Sequence, residues 1–488
     1  MPAATAKRSQ GTAPSLLLVR LNPRVALEAQ ADGSTTANVD GYPEPLGKFS
    51  AAAAKRAKGL RKGLQLSSLS SEGDEIERDV ARLVRQLARR GLVEYCLRST
   101  QDTKDLAVIE PQTPDYWPQV QKLSDATMIA LSRFAYLRRR GTEMVLESPR
   151  AAAVFRICDP WIASLLTMLV TPQPIGRIRR RNDYPGPALL ALLLDCQILF
   201  TVEAPKRDTL RQVEGDDALV LWDFHDLLFH ARSTEGRQAN PLGGLYPHAG
   251  VISPLPAIRP AWPGTTVRLP PPDRIASPFE RLLHERHSTR DFDDRKPIAL
   301  SELSILLNGV ARVRSKWHGQ LEFPDHAPDV EHEYTARPYP AAGSAYELEL
   351  YLTIANCDGL ARGFYHYDAD AHALTAIDVY PQQFEAILQS AAFAMDAPSP
   401  PQILITIAAR FGRISWKYSA IAYALILKDV GVLTQTLYMM VTDLGLGGCA
   451  IGTTNIDLFA KMTGLEFHVE GPVGQFALGR GIEPPASS

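Results

Sequence analysis

The sequence carries no strong charge of either sign, no cysteine pair at metal-binding spacing and no long apolar run free of charge. Over 488 residues the formal net charge is −2, which removes any global pull toward nucleic acid or anionic lipid. The five cysteines (Cys96, Cys158, Cys196, Cys357, Cys449) are scattered and odd in number. Neither a disulfide framework nor a structural zinc is expected from them, and a reducing compartment is. A charged-then-apolar leader pattern is also missing, so a soluble cytoplasmic protein is expected. His225 and His230 stand five apart, not the four that would put two imidazoles on one helical face, and no metal site is expected there. The glycine fingerprint of nicotinamide-dinucleotide domains is absent too.

What is present is organised around residues 416–448. Trp416-Lys417-Tyr418 leads into a helical pattern with Ile421, Leu425, Val430, Leu433, Leu437 and Val441 recurring three to five apart. Gly445 stands where a helix ends in a left-handed residue. Lys428 and Asp429, at mid-length, argue for a buried core helix and against a membrane span. Lys417-Tyr418 at the mouth of this helix has two readings: a proton-transfer pair, or a snorkelling lysine beside a core tyrosine.

The length predicts several domains. The first two hundred residues read as two α/β units of similar order, each with strands, helices and a closing strand. The clearest helix is 74–90, with Ile76, Val80, Leu83, Val84 and Leu87 on one face and Gly91 closing it. A helix–helix–strand ending suggests winged helices, which usually bind DNA. The basic runs Lys55 to Lys62 and Arg177 to Arg181 read equally as solvated faces, and no nucleic-acid partner is expected. Residues 206–275 hold many Pro and Gly, and Trp262 and Val267 suggest a connector laid over a surface. After Pro278 regular structure returns: helices over 279–284 and 300–313 (the second capped by Ser301), strands over 347–356 and 401–410, and a hairpin pairing 363–367 with 374–377.

Three stretches offer a ligand site. Arg286-x-Ser288-x-Arg290 puts two guanidiniums and a hydroxyl on one face of an extended segment, and Arg480 offers a second fork for a phosphate. Small residues over 340–344 (Pro340, Ala341, Ala342, Gly343, Ser344) and at Gly447-Gly448 allow close approach of a planar ring, and Gln435 has an amide for a ring edge.

In their order these segments resemble the SagB-type dehydrogenases, the flavin-dependent azoline oxidases of microcin, streptolysin and cyanobactin biosynthesis. The resemblance runs from about residue 216 onward. It rests on the run beginning Leu221-Trp222-Asp223 and ending Phe229-His230, on Gly243-Gly244, and on Arg286-His287-Ser288-Thr289-Arg290-Asp291-Phe292. It continues through Tyr339 to Tyr351, Gly363, Tyr365-His366-Tyr367, Lys417-Tyr418 and Gly445-Leu446-Gly447. It implies an α+β chain: a nitroreductase-like FMN domain over 276–488, a connector over 206–275, and two winged-helix-like, peptide-recognising modules over 1–100 and 101–205. It also implies a homodimer with FMN at the subunit interface, held by Arg286, Ser288, Arg290, Gln435, Gly447, Gly448 and Arg480, and by Pro340 to Ser344 of the other subunit. Lys417 and Tyr418 would be the catalytic pair, acting on thiazolines or oxazolines of a precursor peptide, with a cyclodehydratase as further partner. Two positions depart from the family: Ala341 replaces a serine and Glu347 a proline, and Ser344 is placed to supply the missing hydroxyl. A nicotinamide-dependent nitroreductase, a flavin-bearing scaffold subunit and a winged-helix regulator are the competing readings.

Overall fold

The computed structural model describes residues 15–39, 42–69, 74–101, 103–181, 184, 186–202, 217–237, 243–322 and 330–482. The chain divides into two compact units, Met1–Ala239 and Asn240–Ser488.

In the first unit seven antiparallel strands form one sheet, in the order Leu64–Gln65, Ser15–Leu21, Val93–Ser99, Asp105–Pro111, Ala153–Ile157, Glu143–Glu147 and Tyr136–Arg140. Residue 100, where the sequence divides two modules, lies in the short link between the third and fourth of these strands. Strands from both sides of it enter one sheet, and one apolar core runs from Val19 to Leu199. Helix Glu75–Arg89 starts where Asp74 accepts the Glu77 N–H at 2.7 Å, and it buries Val80, Leu83, Val84, Leu87 and Ala88. Ile76, expected on that face, is exposed because it falls in the first turn, ahead of the buried stripe. His230, on helix Phe224–Arg232, is buried and stacked on Trp222.

In the second unit six antiparallel strands run in the order Ala373–Ile377, Gly363–Asp368, Leu348–Ile354, Ile403–Arg410, Glu470–Gly479 and Gly447–Ile451. Ile403–Arg410 is interior and buried along its whole length except at Arg410, which is why it reads as an unbroken apolar run. Its neighbour contains Pro472, which has no N–H for the ladder. A register shift at Ile407/Ala408 absorbs it. Helix Ala422–Asp443 packs on strands Gly447–Ile451 and Glu470–Gly479 and on helices Pro278–Glu285 and Leu300–Val310. It begins at Ala422, later than the sequence pattern suggests, because a short helix Phe411–Ser415 precedes it and Ala420 turns left-handed between the two. Gly445 ends it at φ +63°, with Leu446 N–H reaching Val441 O at 2.8 Å. By length and composition alone this helix could cross a membrane, yet Asp429 is buried within the unit.

Two expectations are corrected. Helix Leu300–Val310 is capped by Glu302, whose carboxylate accepts the Ala299 N–H at 2.9 Å, so Ser301 is not its cap. Of the connector expected over 206–275, residues 206–216 and 238–242 lie outside the described residues. Its stretch after residue 242 has neither helix nor strand, and Trp262 (75%) and Val267 (83%) are exposed, not laid on a surface. The Arg259 guanidinium lies over the Trp262 ring, 4.4 Å from its centroid.

Candidate active site

Two clusters form in the second unit, both anchored on helix Ala422–Asp443. The first gathers Arg286, Ser288, Arg290, Gly447, Gly448 and Arg480. Residues 286–290 are held extended by Thr289 N–H donating to Gly448 O at 2.9 Å. A side chain on Gly447 would strike Thr289, and one on Gly448 would strike the Phe476 ring, so both positions demand glycine for packing. Ser288 shares a 2.8 Å hydrogen bond with the Tyr438 hydroxyl, which also accepts the Ala450 N–H at 2.9 Å. The Arg286 guanidinium lies 5.0 Å over the Tyr438 ring. Neither Arg286 nor Arg290 has a carboxylate partner among the described residues. Beside them Cys449 is buried, which pushes its thiol pKa up. Arg480 differs: its guanidinium is closed on Glu302 at 2.9 and 2.8 Å. The Ala299 N–H and then Arg480 hold the Glu302 carboxyl below its ordinary pKa. Gln435 lies one turn before Tyr438 and is exposed.

The second cluster joins the turn 340–344 to Lys417 and Tyr418. Lys417 N–H and Tyr418 N–H both donate to Ile414 O and close the short helix, so the pair sits on the link between two helices. Lys417 is exposed and Tyr418 half-buried, open to a ligand. Lys417 Nζ donates to Gly343 O at 3.2 Å. A methyl on Gly343 would stand 2.5 Å from that ammonium and closer still to the Tyr418 hydroxyl. Ala342 N–H donates to Asp429 Oδ2 at 2.8 Å, fixing the turn to the long helix. Gly343, Ser344 and Tyr346 all take left-handed backbone angles, with φ of 54°, 55° and 45°. Pro340 is exposed, and Ala341 O accepts the Ser344 N–H at 3.2 Å. Trp416 stacks on His332 at 5.3 Å, and burial, with Arg413 and Lys417 nearby, lowers the His332 pKa.

Asp429 and Tyr438 are nine residues apart, two and a half helical turns. They point to opposite faces about 14 Å apart along the axis. The two clusters of one chain therefore do not converge through this helix.

Three contributors lack a local sequence signal. Tyr438 reads as a core position of the helix. Gln402, wholly buried, accepts the N–H groups of Ile298 (3.2 Å) and Arg480 (3.1 Å) and donates to Asp293 O (2.8 Å) and Lys296 O (3.3 Å). Asp429 was legible as a charge inside an apolar helix but not as the anchor of a turn 87 residues away. Among the described residues no three His, Cys, Asp or Glu side chains gather into a metal site. A cavity of about 420 Å³ in the first unit, lined by Gln119, Arg150, Asp195 and Phe200, belongs to neither cluster.

Residues 283–480 match the model of the nitroreductase family, and residues 129–239 match that of the cyanobactin oxidase ThcOx. A Methanocaldococcus jannaschii protein described as a nitroreductase is 28% identical over 189 residues, covering 39% of this chain and 85% of the relative. Among solved structures, one described as a nitroreductase from Ralstonia eutropha is 21% identical over 44% of this chain and 89% of its own, with a TM-score of 0.33. The Escherichia coli microcin synthetase McbBCD complex with truncated pro-MccB17 bound is similar over 54% of this chain and 96% of the matched one, at 17% identity and TM-score 0.39.

Proposed function

For a chain that joins a cyanobactin-oxidase segment to a nitroreductase-family domain, we propose an FMN-dependent azoline oxidase that converts thiazolines or oxazolines of a ribosomally made precursor peptide to the aromatic azoles. The observation that carries this reading is the convergence of the Lys417 ammonium and the Tyr418 hydroxyl on Gly343, in a turn with room for no side chain.

The donor set of the first cluster fits the cofactor: two guanidiniums with no carboxylate partner among the described residues accompany the Ser288 hydroxyl, a pattern suited to a phosphate. Arg286, Ser288 and Arg290 would hold the FMN phosphate, with Gly447, Gly448 and Gln435 nearby. Arg480 braces Glu302 and contributes through the fold. Bound there, the flavin would accept the hydride that the ring gives up. The chain supplies the proton-transfer group: the Lys417–Tyr418 pair takes the proton from the ring α-carbon. Because the clusters of one chain point apart, a homodimer would set the turn 340–344 and the dyad of one subunit over the flavin of the other. The N-terminal unit would recognise the leader peptide, with a cyclodehydratase delivering the substrate.

The test is twofold. Purified protein should show the absorption bands of oxidised flavin or take up added FMN, and an azoline peptide should lose the mass of two hydrogen atoms per ring. Colourless protein that refuses FMN would end the proposal. The nitroreductase-family match also supports a second reading, reduction of the flavin by a nicotinamide. Under that reading nicotinamide would reduce the flavin rapidly and Lys417→Ala would leave the rate unchanged.

A further inference from the structure

Glu347 is fully buried, and neither of its carboxyl oxygens has a hydrogen-bond donor among the described residues. Asp429, itself buried, meets it from the long helix and spends Oδ2 on the Ala342 N–H. Two ionised carboxylates are acceptors only. Side by side in a dry site they repel, and neither can satisfy the other. A single proton turns that contact into a hydrogen bond.

Among the described residues no surrounding cation donates to Glu347, although Arg337 Nε is itself buried without a partner. Arg337 donates to Leu348 O at 3.1 Å and faces Glu349, and Arg413 donates to Ala345 O and Glu333 O, both at 3.0 Å. Lys417 is on Gly343 O. Tyr339, also buried, has no hydrogen-bond partner for its hydroxyl among the described residues, and burial pushes its pKa up. Burial, and then Asp429, raises Glu347 to about 7, and burial raises Asp429 as well.

We propose that Glu347 is a positioning residue that stays protonated in the folded chain: its O–H donates to Asp429, and this acid pair clamps the turn 340–344 whose Gly343 carbonyl holds Lys417. The proton matters because the turn holds Gly343 and Ser344, and Tyr346 just beyond it, in left-handed conformations that would relax if the clamp opened. Glu347 is one of the two positions where this chain departs from the family it resembles, so the clamp belongs to this chain. The inference rests on the proposed function only for the role of Lys417 and Tyr418. The clamp itself is measurable without substrate or flavin.

The sign of the linkage is fixed by the proton. The folded state keeps it between the ordinary value of 4.5 and about 7, where the unfolded chain has released it, so stability falls as pH rises through that window. Hydrogen exchange of the full chain, read by mass spectrometry on the peptide containing Ala342, should show protection (corrected for intrinsic exchange) falling about tenfold for every pH unit by which the titration is displaced. Glu347→Gln keeps a donor at every pH, so protection should stay high and flat. Glu347→Leu removes the donor, so protection should be low throughout. With isotope-labelled glutamate, the wild-type infrared spectrum at about pH 6 should contain a protonated carboxyl band that Glu347→Gln removes, the subtraction being needed because burial also raises Glu94 and Glu470. The same pH dependence in wild type and Glu347→Gln, or no protonated glutamate band lost in that variant, would overturn the proposal. An inactive protein showing both signatures would overturn the oxidase reading and leave the clamp standing.

Discussion

Lys417 reaches Gly343 across 74 residues of sequence, its ammonium donating to the carbonyl at 3.2 Å where the glycine backbone stands at φ +54°. The lysine thereby reports the shape of the turn, and the turn holds the lysine beside Tyr418.

Gly343→Ala should damage both. Alanine is strained at this φ, and its methyl would collide with Lys417 and Tyr418. We expect a loss of more than about 1 kcal/mol, measured by thermal unfolding, and a larger fractional loss of azoline turnover than of flavin uptake.

Lys417→Ala and Tyr418→Phe should each lower turnover by about 10²–10⁴-fold, the usual worth of a positioned proton-transfer group. Neither residue belongs to the Arg286–Ser288–Arg290 cluster, so flavin per protomer, read from the absorption spectrum, should be unchanged. Full activity in both variants would remove the dyad from the mechanism.

Replacing Arg286 and Arg290 together by Gln should weaken FMN binding about tenfold or more for each lost guanidinium, since hydrogen bonds to charged groups are worth about 1.5–3 kcal/mol. Fluorescence titration of the apoprotein measures this. The wild-type affinity should fall with added salt, and the variant's much less.

Gln402→Leu should be among the most destabilising single changes outside the site, by about 2–4 kcal/mol in a urea titration. It strands two N–H groups and two carbonyls that the amide now satisfies. Arg480→Lys should cost no more than about 1 kcal/mol, because the pair with Glu302 is partly exposed at 29% for both side chains.

The sequence expressed much of the second unit because its elements are specified locally. The apolar run of Ile403–Arg410, the glycine that ends helix Ala422–Asp443 and the hairpin Gly363–Asp368 with Ala373–Ile377 each carry their own pattern. Local pattern also misled. Trp262 and Val267 looked like surface-packing residues among prolines, but composition does not say what an apolar side chain will meet. Ser301 has a capping side chain, yet Glu302 reached the free N–H first.

What the sequence determined by itself is the identity and local setting of the chemistry: Lys417 next to Tyr418, Arg286, Ser288 and Arg290 alternating along one segment, and a small-residue turn at 340–344. Tertiary structure alone decided their partners. Ser288 meets Tyr438 150 positions away, Arg480 meets Glu302 178 away, and Ala342 meets Asp429 87 away. Periodicity records which side of an element is buried. A buried polar atom takes whichever complementary group the packed chain brings within hydrogen-bonding reach, and only the fold selects that group.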